Sequence, residues 1–284
     1  MRQCSQFCTN WHLLFPTDCR SLFGMPRFAL LTLTVAVAML APAAYPAERP
    51  VKYVSFKSER GFYHAVFANL ESDRVSTETI CSPRLRSFSE LVRPDVPTVA
   101  LTGTFFAPGC QRPVADVLVN GDLVAKGERG SVLAVDWFGR ARIFDSGFNK
   151  DVDWSGYRYG LRGAVRVLRD GKVCPDPKSQ KFRDRRIWGR AARTAVGITK
   201  GGRLALFATS SKVTLSELGR AMRSQGVVDG ISLDGGSSTA FFYRGKLLLK
   251  PQRKLSNLLV LRELPEGAVV GVPQSPETIT VARP

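Results

Sequence analysis

Histidine is almost missing from this chain: there are two in 284 residues. His12 falls in an N-terminal stretch that reads as a leader, so a Ser-His-Asp triad would have to rest on His64. That residue stands early in an alternating apolar run and reads as a half-buried strand position. Cysteine is also scarce, six in all, and Cys81, Cys110 and Cys174 lack the spacing of a zinc site, which excludes zinc-dependent hydrolysis for want of ligands. A P-loop and a dinucleotide fingerprint are absent, because Gly235-Gly236-Ser237-Ser238-Thr239 has neither the lysine nor the spacing. No Ser/Gly linker or internal repeat divides the chain. Acidic residues are outnumbered, 24 against 41 Lys and Arg, for a formal charge of +17.

The N-terminal stretch carries Met25-Pro26-Arg27, an apolar run from Phe28 to Leu40, and Ala41-Pro42-Ala43. This is the pattern of a secretory signal peptide, with Met25 as the expected start and residues 1–47 as the expected leader. The run is shorter than the about 20 residues of a membrane span, and small residues with prolines follow it in place of a basic flank; an uncleaved anchor is the alternative. Removing residues 1–47 takes away three arginines and one aspartate and leaves +15. A periplasmic or secreted location is therefore expected. A field of that sign favours phosphate-rich envelope polymers, anionic lipid headgroups or acidic glycans, and no aromatic-interleaved basic motif calls for nucleic acid. Three cysteines remain, an odd number, and Cys81 with Cys110 is the expected disulfide.

Residues 48–265 read as one domain, with 266–284 as a tail. Short strand-like runs recur from Val51–Phe56 to Leu258–Leu261, separated by turn signals at Asn120-Gly121, Phe138-Gly139, Asp170-Gly171 and Gly201-Gly202. Helices are expected at Phe88–Val92 and from the capping box Thr214-Leu215-Ser216-Glu217 to a stop at Gly226. Segment 174–192, rich in Pro, Lys, Arg and Asp, reads as an exposed, solvated loop; contact of its basic run with a phosphate polymer is the alternative. The fold class expected is α+β: a single domain with a mixed or largely antiparallel twisted sheet and a few flanking helices.

The most informative stretch is Ser232-Leu233-Asp234-Gly235-Gly236-Ser237-Ser238-Thr239. An apolar strand, Val227–Leu233, runs directly into an acid, two glycines and three hydroxyls. Such a cluster suits a phosphate or a sugar, whose oxygens need donors at short range; a Gly-rich hairpin turn with local hydroxyl bonds is the plainer reading. Four further stretches join it: Leu101-Thr102-Gly103-Thr104-Phe105-Phe106, Gly163–Lys172, Ala192-Arg193-Thr194-Ala195-Val196-Gly197 and Arg253-Lys254-Leu255-Ser256-Asn257.

In this order and spacing the five stretches resemble the phosphodiester glycosidase family, over roughly residues 60–262. The resemblance implies an exported hydrolase cleaving the bond between sugar C1 and phosphate in envelope or extracellular glycans. The alternative is a non-catalytic envelope protein that binds phosphoglycans or anionic saccharides. By the same resemblance Asp234, Arg193 and Thr102 are expected to be catalytic, and Thr104, Gly235, Gly236, Ser237, Ser238, Arg253 and Asn257 to bind substrate. Arg193 and Arg253 would hold the phosphate as planar forks, with Asp234 acting at the anomeric carbon. Asp116 and Glu128 are candidates for a second carboxylate. The chain departs from the family pattern in having Thr102-Gly103 where many members carry Asn-Gly, and two glycines after the aspartate where many carry three. No cofactor or resident metal is expected, although carboxylate and backbone oxygens would suit calcium or magnesium. The expected partner is a phosphorylated glycan or sugar phosphodiester.

Overall fold

The computed structural model describes residues 49–265, with positions 108 and 110 outside the description. The expected leader (1–47), the tail (266–284) and Cys110 thus lie outside the described residues; Cys81, its expected partner, carries a free thiol. Sixteen strands are described: β1 (Val51–Ser58), β2 (Gly61–Ala68), β3 (Val75–Arg86), β4 (Val99–Thr102), β5 (Val117–Val119), β6 (Asp122–Ala125), β7 (Ser131–Asp136), β8 (Ala141–Asp145), β9 (Tyr157–Arg169), β10 (Lys172–Val173), β11 (Ala191–Thr199), β12 (Leu204–Val213), β13 (Val227–Ser232), β14 (Phe241–Tyr243), β15 (Lys246–Leu249) and β16 (Leu255–Glu263). Three α-helices accompany them: α1 (Phe88–Val92), α2 (Arg185–Trp188) and α3 (Leu215–Ser224).

All strand pairings among the described residues are antiparallel. They form two sheets where one was expected. The larger follows the order β1-β2-β12-β11-β13-β9-β5-β6, with β7, β8 and β10 joining through β9; the smaller is β15-β14-β4-β16-β3. Asn120-Gly121 and Asp170-Gly171 pair φ of 51° with 87° and 48° with 73°, the positive values a two-residue hairpin turn requires. Arg244-Gly245 does the same at 42° and 82°, a turn carried by an arginine that no sequence signal marked.

The two sheets arise because the central strands are apolar on both faces. On β12, Leu204, Leu206 and Ala208 face a core shared with the smaller sheet, while Ala205 and Phe207 face α3. On β16, Leu259 and Leu261 enter the shared core, and Leu258 and Val260 pack with α1. Successive strand side chains point to opposite faces, so this parity produces four layers: α3, large sheet, small sheet, α1. Each fully buried Leu or Phe adds about 1.5–3 kcal/mol over exposure.

Helix α3 begins as expected. Thr214 Oγ1 accepts from the Glu217 amide at 3.2 Å, and Glu217 Oε2 accepts from the Thr214 amide at 2.8 Å. That backbone bond, then Arg190, holds the Glu217 carboxyl down at about 2. Leu218, Ala221 and Met222 bury the inner face, and Gly226 (φ 82°) turns the chain into β13.

Antiparallel pairing also places the functional segments. The start of β11 lies beside the end of β13 (Ala195 opposite Ser232), and the start of β16 beside the end of β4 (Leu258 opposite Thr102). Four sequence-distant segments thereby reach one end of the layered sheets. Thr214→Ala should lower stability by about 1 kcal/mol, read from the denaturant midpoint with an unchanged slope; an unaltered midpoint would show that the cap does not anchor α3.

Candidate active site

A cavity of about 760 Å³ opens where these segments meet. Its floor holds Asp234, 6 % exposed, and Arg193, 5 % exposed. Gly235, Gly236, Ser237 and Arg253 also line it, as do Phe105 and Phe106.

Asp234 follows β13, and its position is fixed through the main chain. Its amide donates to Gly103 O at 3.0 Å, and its carbonyl accepts from Thr194 Oγ1 at 2.6 Å. At Gly235 a Cβ would stand 2.6 Å from Ala192 O, so only glycine lets the strand end approach β11 this closely. Gly236 has φ +61° and opens the single turn Gly236–Ser238. The carboxylate receives Arg253 Nη2 at 3.1 Å on Oδ2, while Arg253 Nε donates to Ser238 Oγ at 2.5 Å. The guanidinium lies 4.4 Å from the Phe106 ring centre, a cation–π contact that flattens it against the wall. Burial pushes the Asp234 carboxyl above the usual carboxylate range; Ser238, Arg253 and the Gly235 amide oppose that shift without cancelling it.

Arg193 is a buried cation held by carbonyls. Nε donates to Val213 O at 3.3 Å, and Nη2 to Ile187 O and Gly189 O at 3.0 and 2.5 Å. Among the described residues no carboxylate pairs with it, and burial pulls its pKa down to about 10. A charge out of water without a counter-charge is costly, and an anion entering the cavity would relieve the cost.

The residues expected at the site divide into two groups. Asp234, Arg193, Gly235, Gly236, Ser237 and Arg253 meet at the cavity. Thr102, Thr104 and Asn257 are buried behind it and do not line it. Thr102 Oγ1 donates to Ser238 O at 2.6 Å and accepts from the Ala240 amide at 2.9 Å, so the expected catalytic hydroxyl is spent bracing the loop. Asn257 Oδ1 accepts from the Thr104 amide at 2.7 Å, and its Nδ2 donates to Thr104 O at 3.1 Å and to Ser256 Oγ at 2.8 Å. Gly103 is required there, since a Cβ would lie 2.0 Å from Asn257 Oδ1. Ser238 supports Asp234 from beneath, fully buried.

Of the two second-carboxylate candidates, Asp116 is consumed internally by the Gly127 amide, by Trp154 Nε1 at 3.1 Å and by Arg162 Nη1 at 3.5 Å. Glu128 does line the cavity, at its rim, with a 64 % exposed side chain beside Arg129. His64 stacks on Tyr53 and Phe241 and meets the Tyr53 hydroxyl at Nδ1, 2.7 Å, away from the cavity.

One wall was missed. Segment 174–192 is no plain exposed loop: Phe182 is buried, α2 forms within it, and Phe182, Arg183, Asp184, Arg186 and Ile187 line the cavity. Its density of charge resembled a solvated surface; Phe182, Ile187 and Trp188 were the only hints of inward packing. No described cluster of His, Cys, Asp and Glu could hold a metal ion.

Taken together, the floor and walls form a cavity at the meeting point of two antiparallel sheets, lined by more cationic than acidic side chains. Residues 96–270 match the phosphodiester glycosidase family, and the chain belongs to it. It is 26 % identical over 194 residues to the N-acetylglucosamine-1-phosphodiester alpha-N-acetylglucosaminidase of Bos taurus, a match covering 60 % of this chain and 36 % of that one. To the Mus musculus enzyme of the same name it is 30 % identical over 105 residues, 32 % of this chain and 20 % of that one. The chain thus matches about a third or less of these relatives' length. In structure it is similar to the catalytic domain of the zebrafish enzyme (TM-score 0.66, 18 % identity, 77 % of this chain and 85 % of that one). It is also similar to a hypothetical protein from Synechocystis (TM-score 0.58, 14 % identity, 75 % and 62 %).

Thr102→Val should remove both backbone bonds and destabilise the fold by about 1–3 kcal/mol, whereas Thr102→Ser should stay near wild type. Thermal denaturation of the pair checks this, and equal stability of Val and Ser would return Thr102 to the list of candidate reactive groups.

Proposed function

We propose that this protein is an exported hydrolase that cleaves the bond between sugar C1 and phosphate in a sugar-1-phosphodiester. The observation that carries the reading is the cavity floor, where a buried carboxylate, Asp234, and a buried arginine, Arg193, line the same space, the arginine with no acidic partner among the described residues. Ordinary glycosidases flank the scissile bond with two carboxyl groups, one of them protonating the leaving oxygen. Here the other carboxylates lining the cavity, Glu128 and Asp184, stand at the rim, 64 % and 41 % exposed. A phosphomonoester departs as a stable anion and needs positive charge more than a proton.

Arg193 and Arg253 hold the phosphate and stabilise the charge that gathers on it as the C1–O bond breaks. Arg253 is bonded to Asp234, so a phosphate drawing on that fork frees the carboxylate for the anomeric carbon, where it acts on water as a base or attacks as a nucleophile. Phe105 and Phe106 line the cavity and offer the sugar ring an apolar face. Export, and a phosphorylated glycan of the envelope or extracellular space as substrate, accord with the apolar N-terminal run and the charge of +17. The same floor without turnover would make the protein a phosphoglycan binder, and Asp234 separates the two.

Incubation with N-acetylglucosamine-1-phosphodiesters, followed by mass detection of free sugar and phosphomonoester, should show release by wild type. Asp234→Asn should reduce kcat by roughly a hundredfold to ten-thousandfold with an unchanged circular dichroism spectrum. Near-normal turnover in that variant would end the assignment, and ligand retention without turnover in wild type would favour the binder. The acid limb of kcat/KM should lie above the ordinary aspartate range, because Asp234 acts ionised and its pKa is raised. Arg253 opposes that rise, so Arg253→Gln should move the limb to still higher pH; a shift downward would contradict the pairing.

A further inference from the structure

The cations of the cavity are graded by depth. Arg193 is buried and Arg253 is one-third exposed, whereas the Arg186 side chain is 90 % exposed at the rim. Arg183 is exposed beside it and has no ion-pair partner among the described residues, and Lys126 and Arg129 stand on the segment that carries Glu128. In all, six cationic side chains and three carboxylates line the cavity. Asp151 neutralises Lys126 from outside the lining, at 2.9 Å, which reduces the surplus to two. A phosphodiester carries one negative charge.

We propose that the natural substrate carries a second phosphate on the group across the scissile phosphodiester, and that Arg183 and Arg186 receive it at the rim. This rests on the phosphodiester reading and names the substrate class as a glycan with more than one phosphate. Arg186 forks Asp184, Nε to Oδ1 and Oδ2 at 3.0 Å and Nη2 to Oδ2 at 2.6 Å, in a pair that stands in solvent, so a phosphate there takes the remaining N–H groups of the guanidinium or displaces that carboxylate. A phosphate takes two oxygens from a guanidinium fork as a carboxylate does. Arg183, Arg186 and Asp234 line the same cavity, so the rim and the floor open onto one space. Surface steering alone would speed every anion alike; Arg183 and Arg186 stand on one segment that walls the cavity, so they favour a second charge that reaches that wall.

The test compares two probes: the glycerol diester of N-acetylglucosamine-1-phosphate, and the same diester with a phosphomonoester on the far glycerol carbon. Wild type should prefer the second by about tenfold in kcat/KM, mostly through KM, the order of one charge-assisted contact. In the Arg183→Gln/Arg186→Gln variant, with its thermal midpoint checked, the ratio should fall toward one. Equal turnover of both probes by wild type, or an unchanged ratio in the variant, would overturn the proposal while leaving the phosphodiester reading in place. Cleavage of neither probe by wild type would overturn that reading and this proposal together.

Discussion

The hydrogen bond from the Asp234 amide to Gly103 O is the fastening on which the site depends, because it ties the end of a large-sheet strand to the end of a small-sheet strand. Around it the connections are mutual. Asn257 clamps the backbone of Thr104 through both ends of its amide, and Thr102 ties Ser238 and Ala240 to β4. Buried polar groups that are fully satisfied in this way specify one arrangement, since any displacement leaves several unpaired at once. Thr102 thus belongs to the scaffold behind the cavity.

Charge at the floor is arranged against its own solvation. Arg193 is kept in place by three carbonyl oxygens, with no acid among the described residues, and Asp234 is kept ionisable by Arg253 against the effect of burial. Such arrangements persist where a ligand completes them, and perturbed groups gather at functional sites for this reason. The short α2 segment belongs to the same device: Ile187 and Gly189 supply carbonyls to Arg193, while Arg183 and Arg186 carry the positive field outward to the rim.

Local chemistry made much of this legible in the sequence. Alternation marked most strands, the Thr214–Glu217 box marked α3, and Asn-Gly and Asp-Gly marked hairpins. Less legible were β3, where Ser76-Thr77-Glu78-Thr79 is an unbroken polar run whose buried positions are threonines, and the Arg244-Gly245 turn. The even mixture of charge and apolar residues in 182–188 concealed a wall of the cavity.

By itself the sequence determined that the protein is strand-rich, that Asp234 ends a strand in a glycine turn, and that arginines open the neighbouring segments. These follow from periods and turn chemistry that act over a few residues. Only the tertiary structure decided which polar side chains face the cavity and which are spent behind it. Asn257 and Thr104 are 153 positions apart, and Thr102 and Ser238 are 136 apart. A hydroxyl or amide is reactive or structural according to the partner it meets, and that partner is set by which strands pair.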